Sequence, residues 1–264
     1  IEAVTEDLEL KRNLLSGLSR NLARKTIIAS NTSSLLIRDL AIAVTGTERF
    51  LGVHYNNPAD FNPIVEIIPT TATQPELTQQ VERWYQKSGK QTVLSMDTSG
   101  CVLNRQSLPY MNEAVRCLDI AKPGSIDEAA KRELGVGLGP FAVMNLVGLK
   151  VMAAASKNLA LLGEGYRAAD LLLQKSAEEN PVWEINSDAD LNDIVIATVR
   201  DRLLGAMLYP GRDILARSLC SREDLHLICV EALGYKRSSP ELLDQLSERE
   251  TNRLIASYLA SEIG

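Results

Sequence analysis

Two stretches of this chain carry residues that can do proton chemistry. Gly52-Val53-His54-Tyr55-Asn56-Asn57-Pro58 places one of the two histidines at the end of an apolar, β-branched run. Pro63-Ile64-Val65-Glu66-Ile67-Ile68 places a lone glutamate inside the next such run. A histidine at a strand end and a carboxylate on the adjoining strand can meet side by side. The carboxylate then fixes the imidazole tautomer and stabilises the imidazolium that forms when the ring takes a proton. That is a general base with an orienting acid. A single histidine near a strand is more often structural. The glutamate shifts that balance, because Val-Glu-Ile-Ile puts an ionisable group where the pattern predicts burial, and a buried charge needs a partner.

Other reactive side chains read differently. His226 falls in a helical pattern without a nearby partner and reads as structural. Cys101, Cys117, Cys220 and Cys229 are dispersed without metal-ligand spacing, each in a helix-like pattern. They read as free buried thiols, with no disulfide and no metal site expected. Gly135-Val136-Gly137-Leu138-Gly139-Pro140 has closely spaced glycines, but it follows a helical run and ends in proline, so it reads as a turn between helices.

The elements that must position His54 and Glu66 follow from periodicity. Residues 6–23 carry apolar positions at helical spacing, with acids at the end where the helix dipole favours them. Residues 26–29 read as a short buried strand. Ser30-Asn31-Thr32-Ser33-Ser34 is a cluster of N-cap residues ahead of a helical run at 35–44. Strands are expected at 50–55, 64–69 and 91–95, with a helix at 75–88 between the last two. Strand alternating with helix predicts a parallel α/β sheet. In such sheets ligands sit outside the carboxyl ends of the strands, where Ser30 to Ser34, His54 and Asn57 all fall.

Composition changes near Asp97-Thr98-Ser99-Gly100, and beyond it only helical periodicity remains, at 102–118, 126–134, 141–162 and 165–174. A polar stretch at 178–193 reads as a linker. Past it, Arg202-Leu203-Leu204, Ser221 to Leu225, Leu233-Gly234-Tyr235 and Pro240 to Asp244 follow the order of residues 105–108, 125–126, 134–136 and 140–145. The spacing is about one hundred residues, as a duplicated helical unit would give. The expected domains are therefore 1–98, an α/β part; 99–185, a helical unit; and 186–264, a diverged second copy.

The bulk properties bound the function. A chain of 28.9 kDa with 45% hydrophobic and 23% charged residues can bury a core. A net charge of −6 argues against nucleic acid as a partner. No apolar run is long enough to span a bilayer and no signal peptide opens the chain, so the expected protein is soluble, cytoplasmic and without a membrane partner. The abrupt start at Ile1-Glu2-Ala3-Val4 suggests that an N-terminal segment is missing.

The motifs together resemble the L-3-hydroxyacyl-CoA dehydrogenase family. The resemblance is carried by Ala29 to Ser34, Gly52 to Pro58, Ile64-Val65-Glu66, Gly100 with Val102 to Arg105, Pro109 to Ala114, and Gly139-Pro140, in family order over about the first 150 residues. It implies the C-terminal half of a Rossmann-like NAD-binding domain followed by the family's helical C-terminal domain, here duplicated. It further implies an NAD-dependent oxidation of L-3-hydroxyacyl-CoA to 3-ketoacyl-CoA, as in fatty-acid beta-oxidation. His54 would be the general base and Glu66 its partner. Ser33 and Asn104 would lie near the reacting oxygen, Asn57 near the nicotinamide, and Glu6 and Lys11 along the cofactor site. The second helical copy would take a role that a partner subunit plays in shorter members, giving a monomer with an internal pseudo-dimer, or a homodimer.

Two departures stand beside the resemblance. Asn56 occupies a position where the family commonly has an aromatic residue. The family's opening strand and Gly-x-Gly-x-x-Gly turn are not in this sequence, so these residues carry the acid-base groups and lack most of the dinucleotide grip. Two alternatives remain open: a dehydrogenase of a small free hydroxy acid or carnitine-like alcohol, and a non-catalytic helical assembly module. In the second case Ser33 only caps a helix and Asn104 only ties two domains together.

Overall fold

The first helix, α1 (Leu8–Asn21), starts where Asp7 accepts the Leu10 N–H at 2.8 Å and presents Leu15 to the core. The computed structural model describes residues 1–187 and 192–261. Strand β1 (Ile28–Ser30) follows, fully buried. The helix expected at 35–44 shrinks to α2 (Ile37–Ala41). Its N-terminus is capped from a distance, the Asp97 carboxylate accepting from Ile37 N (2.8 Å) and Arg38 N (2.9 Å). The hydroxyl-rich loop before it turns to Glu6 instead of capping the helix.

Strands β2 (Phe50–Tyr55) and β3 (Ile64–Pro69), helix α3 (Pro75–Lys87) and strand β4 (Gln91–Leu94) complete a sheet of order β1-β2-β3-β4. The sheet is mixed, correcting the expectation of a parallel one. β1 runs parallel to β2 and β3 to β4, but β2 and β3 are antiparallel. The loop at 56–63 holds no helix, and parallel neighbours need a crossover longer than that loop supplies. The antiparallel register sets His54 directly across from Glu66.

Gly100 (φ 77°) and Cys101 (φ 53°) turn the chain into α4 (Cys101–Arg116), and a side chain at Gly100 would strike Leu159. Next come α5 (Pro123–Ala129), a π-turn at Ala130–Leu134, α6 (Pro140–Val147), α7 (Leu149–Leu159) and α8 (Asp170–Ser176). The run expected at 141–162 is broken at Gly148, whose φ of 98° no helix accommodates. Gly135 to Gly139 is the connection between the π-turn and α6.

Of the expected linker, residues 188–191 lie outside the described residues. The part before them is docked: Trp183 is buried against Phe141 and exchanges two hydrogen bonds with Asn145. Helices α9 (Asp193–Ala216), α10 (Arg222–Leu227), α11 (Ser239–Gln245) and α12 (Glu248–Ser261) follow, with a second π-turn at Ile228–Ala232. The two helical runs share their punctuation. Each has a proline inside its long helix (Pro109, Pro210), then a π-turn, then a left-handed glycine (Gly135, Gly234), then a helix with proline in its first turn.

One apolar core runs through both helical runs, joining Leu108, Met111 and Phe141 to Leu203, Met207 and Ile228. Helices α4 and α9 are also clamped by two ion pairs, the buried Arg202 to Glu113 at 2.6 Å and the half-buried Arg105 to Asp213 at 2.5 Å. Gly205 lets α9 and α12 meet closely, since a Cβ there would fall 2.2 Å from the Leu254 carbonyl oxygen. Among the described residues no helix is long and apolar enough to cross a membrane.

Candidate active site

His54 and Glu66 are brought together by backbone register. Nδ1 of His54 lies 3.0 Å from Oε2 of Glu66, with His54 3% exposed and Glu66 fully buried. The other carboxylate oxygen, Oε1, accepts from Ser95 Oγ (2.8 Å) and from the Val102 backbone N–H (2.7 Å). A carboxylate so held accepts the Nδ1 proton and leaves Nε2 as the basic ring nitrogen. Sequence reasoning missed Ser95 and Val102. Ser95 is a lone hydroxyl just past an apolar strand, and the Val102 contribution is a backbone N–H aimed by the left-handed turn at Gly100 and Cys101; no residue type announces either.

Ser33, Asn57 and Asn104 share a cavity of about 380 Å³ with His54. Asn104, in the first turn of α4, donates from Nδ2 to the Ser33 carbonyl at 3.2 Å and so ties the helical part to the loop after β1. The Ser33 loop is braced from behind by Glu6. Oε1 of Glu6 accepts from Ser33 N (3.0 Å), Ser34 N (2.9 Å), Ser34 Oγ (2.8 Å) and Thr32 Oγ1. Burial pushes the Glu6 carboxyl up, but bonds from Thr32 and Ser34 and the nearby Lys11 outweigh it and hold it below the ordinary carboxylate range. Lys11 is fully buried and bonds both Glu2 oxygens (3.0 and 3.2 Å) and the Val4 carbonyl (2.9 Å). Neither Glu6 nor Lys11 forms part of the wall of the His54 cavity.

The remaining walls are largely apolar, including Leu108, Met111, Val147, Met152 and Leu233. Residues 231–234 reach the cavity from the second helical run, where Asn56 (3.3 Å) and Asn62 (3.0 Å) both donate to the Ala232 carbonyl. The polar residue at 56 thus anchors its loop to the second π-turn. A larger hollow of about 460 Å³, between β1, β2 and α3, holds none of these groups.

Two sequence readings of reactive side chains need correction. His226 does have a partner, its Nδ1 lying 3.0 Å from Ser238 Oγ at the start of α11. Cys220 is not helical, because it pairs with Ser95 in an isolated antiparallel bridge. Cys101 brings its sulfur within 4.8 Å of the His54 and Glu66 ligand atoms. Burial, then Glu66, Glu6 and Asp97, push that thiol well up, so it stays neutral.

Residues 1–98 match the model for the 3-hydroxyacyl-CoA dehydrogenase NAD binding domain, and residues 100–183 the model for the C-terminal domain. The chain is 35% identical over 178 residues to the fatty acid oxidation complex subunit alpha of Vibrio cholerae, covering 66% of this chain and 25% of that one. It thus spans a quarter of the length of the curated relatives it matches. The (S)-3-hydroxybutyryl-CoA dehydrogenase of Ralstonia eutropha is 30% identical over 72% of this chain and 70% of its own, with a TM-score of 0.65. The 3-hydroxybutyryl-CoA dehydrogenase of Escherichia coli shares the fold over 97% of this chain and 76% of its own, with a TM-score of 0.82 at 19% identity. The mixed sheet joined to a helical part through Gly100, and these two matches placed end to end, make the chain a member of the 3-hydroxyacyl-CoA dehydrogenase family.

Proposed function

We propose that this chain carries the acid-base and substrate side of an NAD-dependent dehydrogenase that interconverts L-3-hydroxyacyl-CoA and 3-ketoacyl-CoA, in fatty-acid beta-oxidation or related acyl-CoA catabolism. The observation that carries the reading is the His54–Glu66 contact at the wall of a cavity shared with Ser33 and Asn104. His54 Nε2 takes the proton of the substrate 3-hydroxyl while Glu66 stabilises the imidazolium. In the reverse direction the imidazolium returns that proton to the developing alkoxide. Ser33 and Asn104 supply hydrogen-bond donors for the same oxygen, where charge changes most.

The residues present fit the nicotinamide end of the cofactor. The Asn57 amide and the Ser33 hydroxyl lie at the carboxyl ends of β2 and β1, in the cavity that His54 lines. Asn57 would hold the nicotinamide, with Glu6 and Lys11 fixing the floor beneath the Ser33 loop. When bound, the nicotinamide accepts the hydride from carbon 3. The apolar walls support an acyl chain over a small free hydroxy acid.

Residues 1–98, 99–185 and 186–264 are read as the α/β part and two copies of one helical unit. Their shared core within one chain supports a monomer with an internal pseudo-dimer over a homodimer. Turnover of the intact enzyme with acetoacetyl-CoA and NADH, against free 3-hydroxy acids and carnitine with NAD, tests the reading. Activity confined to free acids or carnitine would sink the acyl-CoA assignment. Full turnover by His54→Gln would sink the catalytic one.

A further inference from the structure

Glu66 has two oxygens, and the fold uses them differently. Oε2 meets His54, while Oε1 is held by Val102 N–H and Ser95 Oγ. Ser95 is itself 3% exposed and its backbone is fixed on both sides. Its N–H donates to the Ile67 carbonyl (3.0 Å) within the sheet. On the outer side Ser95 faces Cys220 in the antiparallel bridge, and Met96 N donates to the Leu219 carbonyl at 2.7 Å. One step further along, the Asp224 carboxylate accepts from the Leu94 backbone. The segment from the second helical run therefore lies along the edge of β4 at the residue that grips the dyad's carboxylate.

We propose that Ser95 is a positioning residue for the general base: its hydroxyl holds the Glu66 carboxylate with Oε2 turned to His54, and residues 219–220 of the second helical run hold Ser95 in place to do so. The inference rests on the dehydrogenase reading above and goes beyond it, because Ser95 lines no part of the substrate cavity.

The physical reason is the dryness of the site. A buried carboxylate keeps its charge only while its lone pairs are used, and here two of the three contacts are on Oε1. Removing one leaves the protonated form to compete, and a protonated Glu66 no longer stabilises the imidazolium.

The titratable groups facing Glu66 are His54 from β2, Cys101 from the start of α4 and Cys220 from the bridging segment, with Asp224 beside Cys220 and Asp97 and Glu6 behind Cys101. Burial, reinforced by Glu66, pushes both thiols up, so they stay neutral across the working range. Burial also pushes up the Asp224 carboxyl.

The test compares intact wild-type enzyme, Ser95→Ala and Ser95→Thr, measuring kcat and KM for 3-hydroxybutyryl-CoA with NAD against pH. Ser95→Ala is expected to lower kcat by about ten- to a hundredfold, the worth of one hydrogen bond to a charged group. KM for the thioester stays unchanged and the rising limb moves to higher pH by about one unit. Ser95→Thr keeps the hydroxyl and returns the limb to its wild-type position. Nitrogen-15 NMR of His54, in a chain whose only other histidine is His226, reads the same displacement without cofactor. Should Ser95→Ala fail to fold, Ser95→Cys, a weaker donor, is expected to move the limb part of the way.

A limb and a His54 titration that stay put in the folded variant overturn the proposal, even if its melting temperature falls. Displacement by Ser95→Ala that Ser95→Thr does not reverse overturns it as well. An inactive wild type would sink the dehydrogenase reading and this inference together; an active wild type with unmoved variants sinks this inference alone.

Discussion

His54 and Glu66 are cross-strand neighbours in the antiparallel pair β2–β3, so their contact is set by backbone register before any side-chain choice is made. A slip of one residue would turn both to opposite faces. Replacing His54 by Gln is expected to lower kcat by about a thousandfold with little change in KM, in line with the loss of a positioned general base. Glu66→Gln should lower it by a comparable factor, because an amide can neither fix the tautomer nor stabilise the imidazolium. Steady-state kinetics on the intact enzyme checks both; equal activity in either variant refutes the pair.

Asn104 joins two roles in one side chain, tying α4 to the Ser33 carbonyl while lining the cavity. Asn104→Ala is expected to cost about a hundredfold in kcat, the usual loss for one donor to a developing oxyanion. If Asn104 is only a tie between domains, the change appears in the melting temperature and leaves kcat of the folded enzyme alone.

Asp213 makes the helical part sensitive to acid. Burial pushes its carboxyl up, yet bonds from Arg217, Arg105 and Tyr166 outweigh that and hold it below the ordinary carboxylate range. A carboxyl whose folded value is depressed contributes stability above its unfolded value and loses it as pH falls through the folded one. Thermal melts should therefore show wild type losing stability below about pH 4 more steeply than Asp213→Asn. Parallel curves for the two proteins would contradict this.

Gly205 is expected to tolerate no side chain. The Cβ of Gly205→Ala would sit 2.2 Å from the Leu254 carbonyl oxygen, on backbone that cannot swing away. Forcing α9 from α12 should cost about 2 kcal/mol, read as a lower urea midpoint. Gly17→Ala, on α1 with open space around it, is the control and should hold or gain stability.

How much of this was legible depended on whether the decisive interaction was local. Strands β2 and β3 appear at the expected 50–55 and 64–69 because their apolar, β-branched runs are bounded by polar turns. The meeting of His54 with Glu66 followed from that alone. The direction of β3 did not, since periodicity carries no sign and only the helix-free loop at 56–63 reveals it. Helix α2 was overestimated because its cap is Asp97, a residue far along the chain. The break at Gly148 is a backbone angle hidden inside an apolar run. Ser95 was invisible because its importance lies in what the bridge to Cys220 does to it.

Placing both helical runs in one chain removes a constraint that symmetry imposes. In a dimer of identical subunits every substitution is made twice, so a residue cannot serve the sheet in one copy and do something else in the other. Here the two runs differ. Asp127 of the first accepts the Phe141 and Ala142 N–H groups at the start of α6, while in the second His226 meets Ser238 at the start of α11. Among the described residues, only the second bridges the end of β4, and only it receives Asn56 and Asn62 at a carbonyl. Within one chain the second run is free to act as a dedicated support for the His54–Glu66 contact.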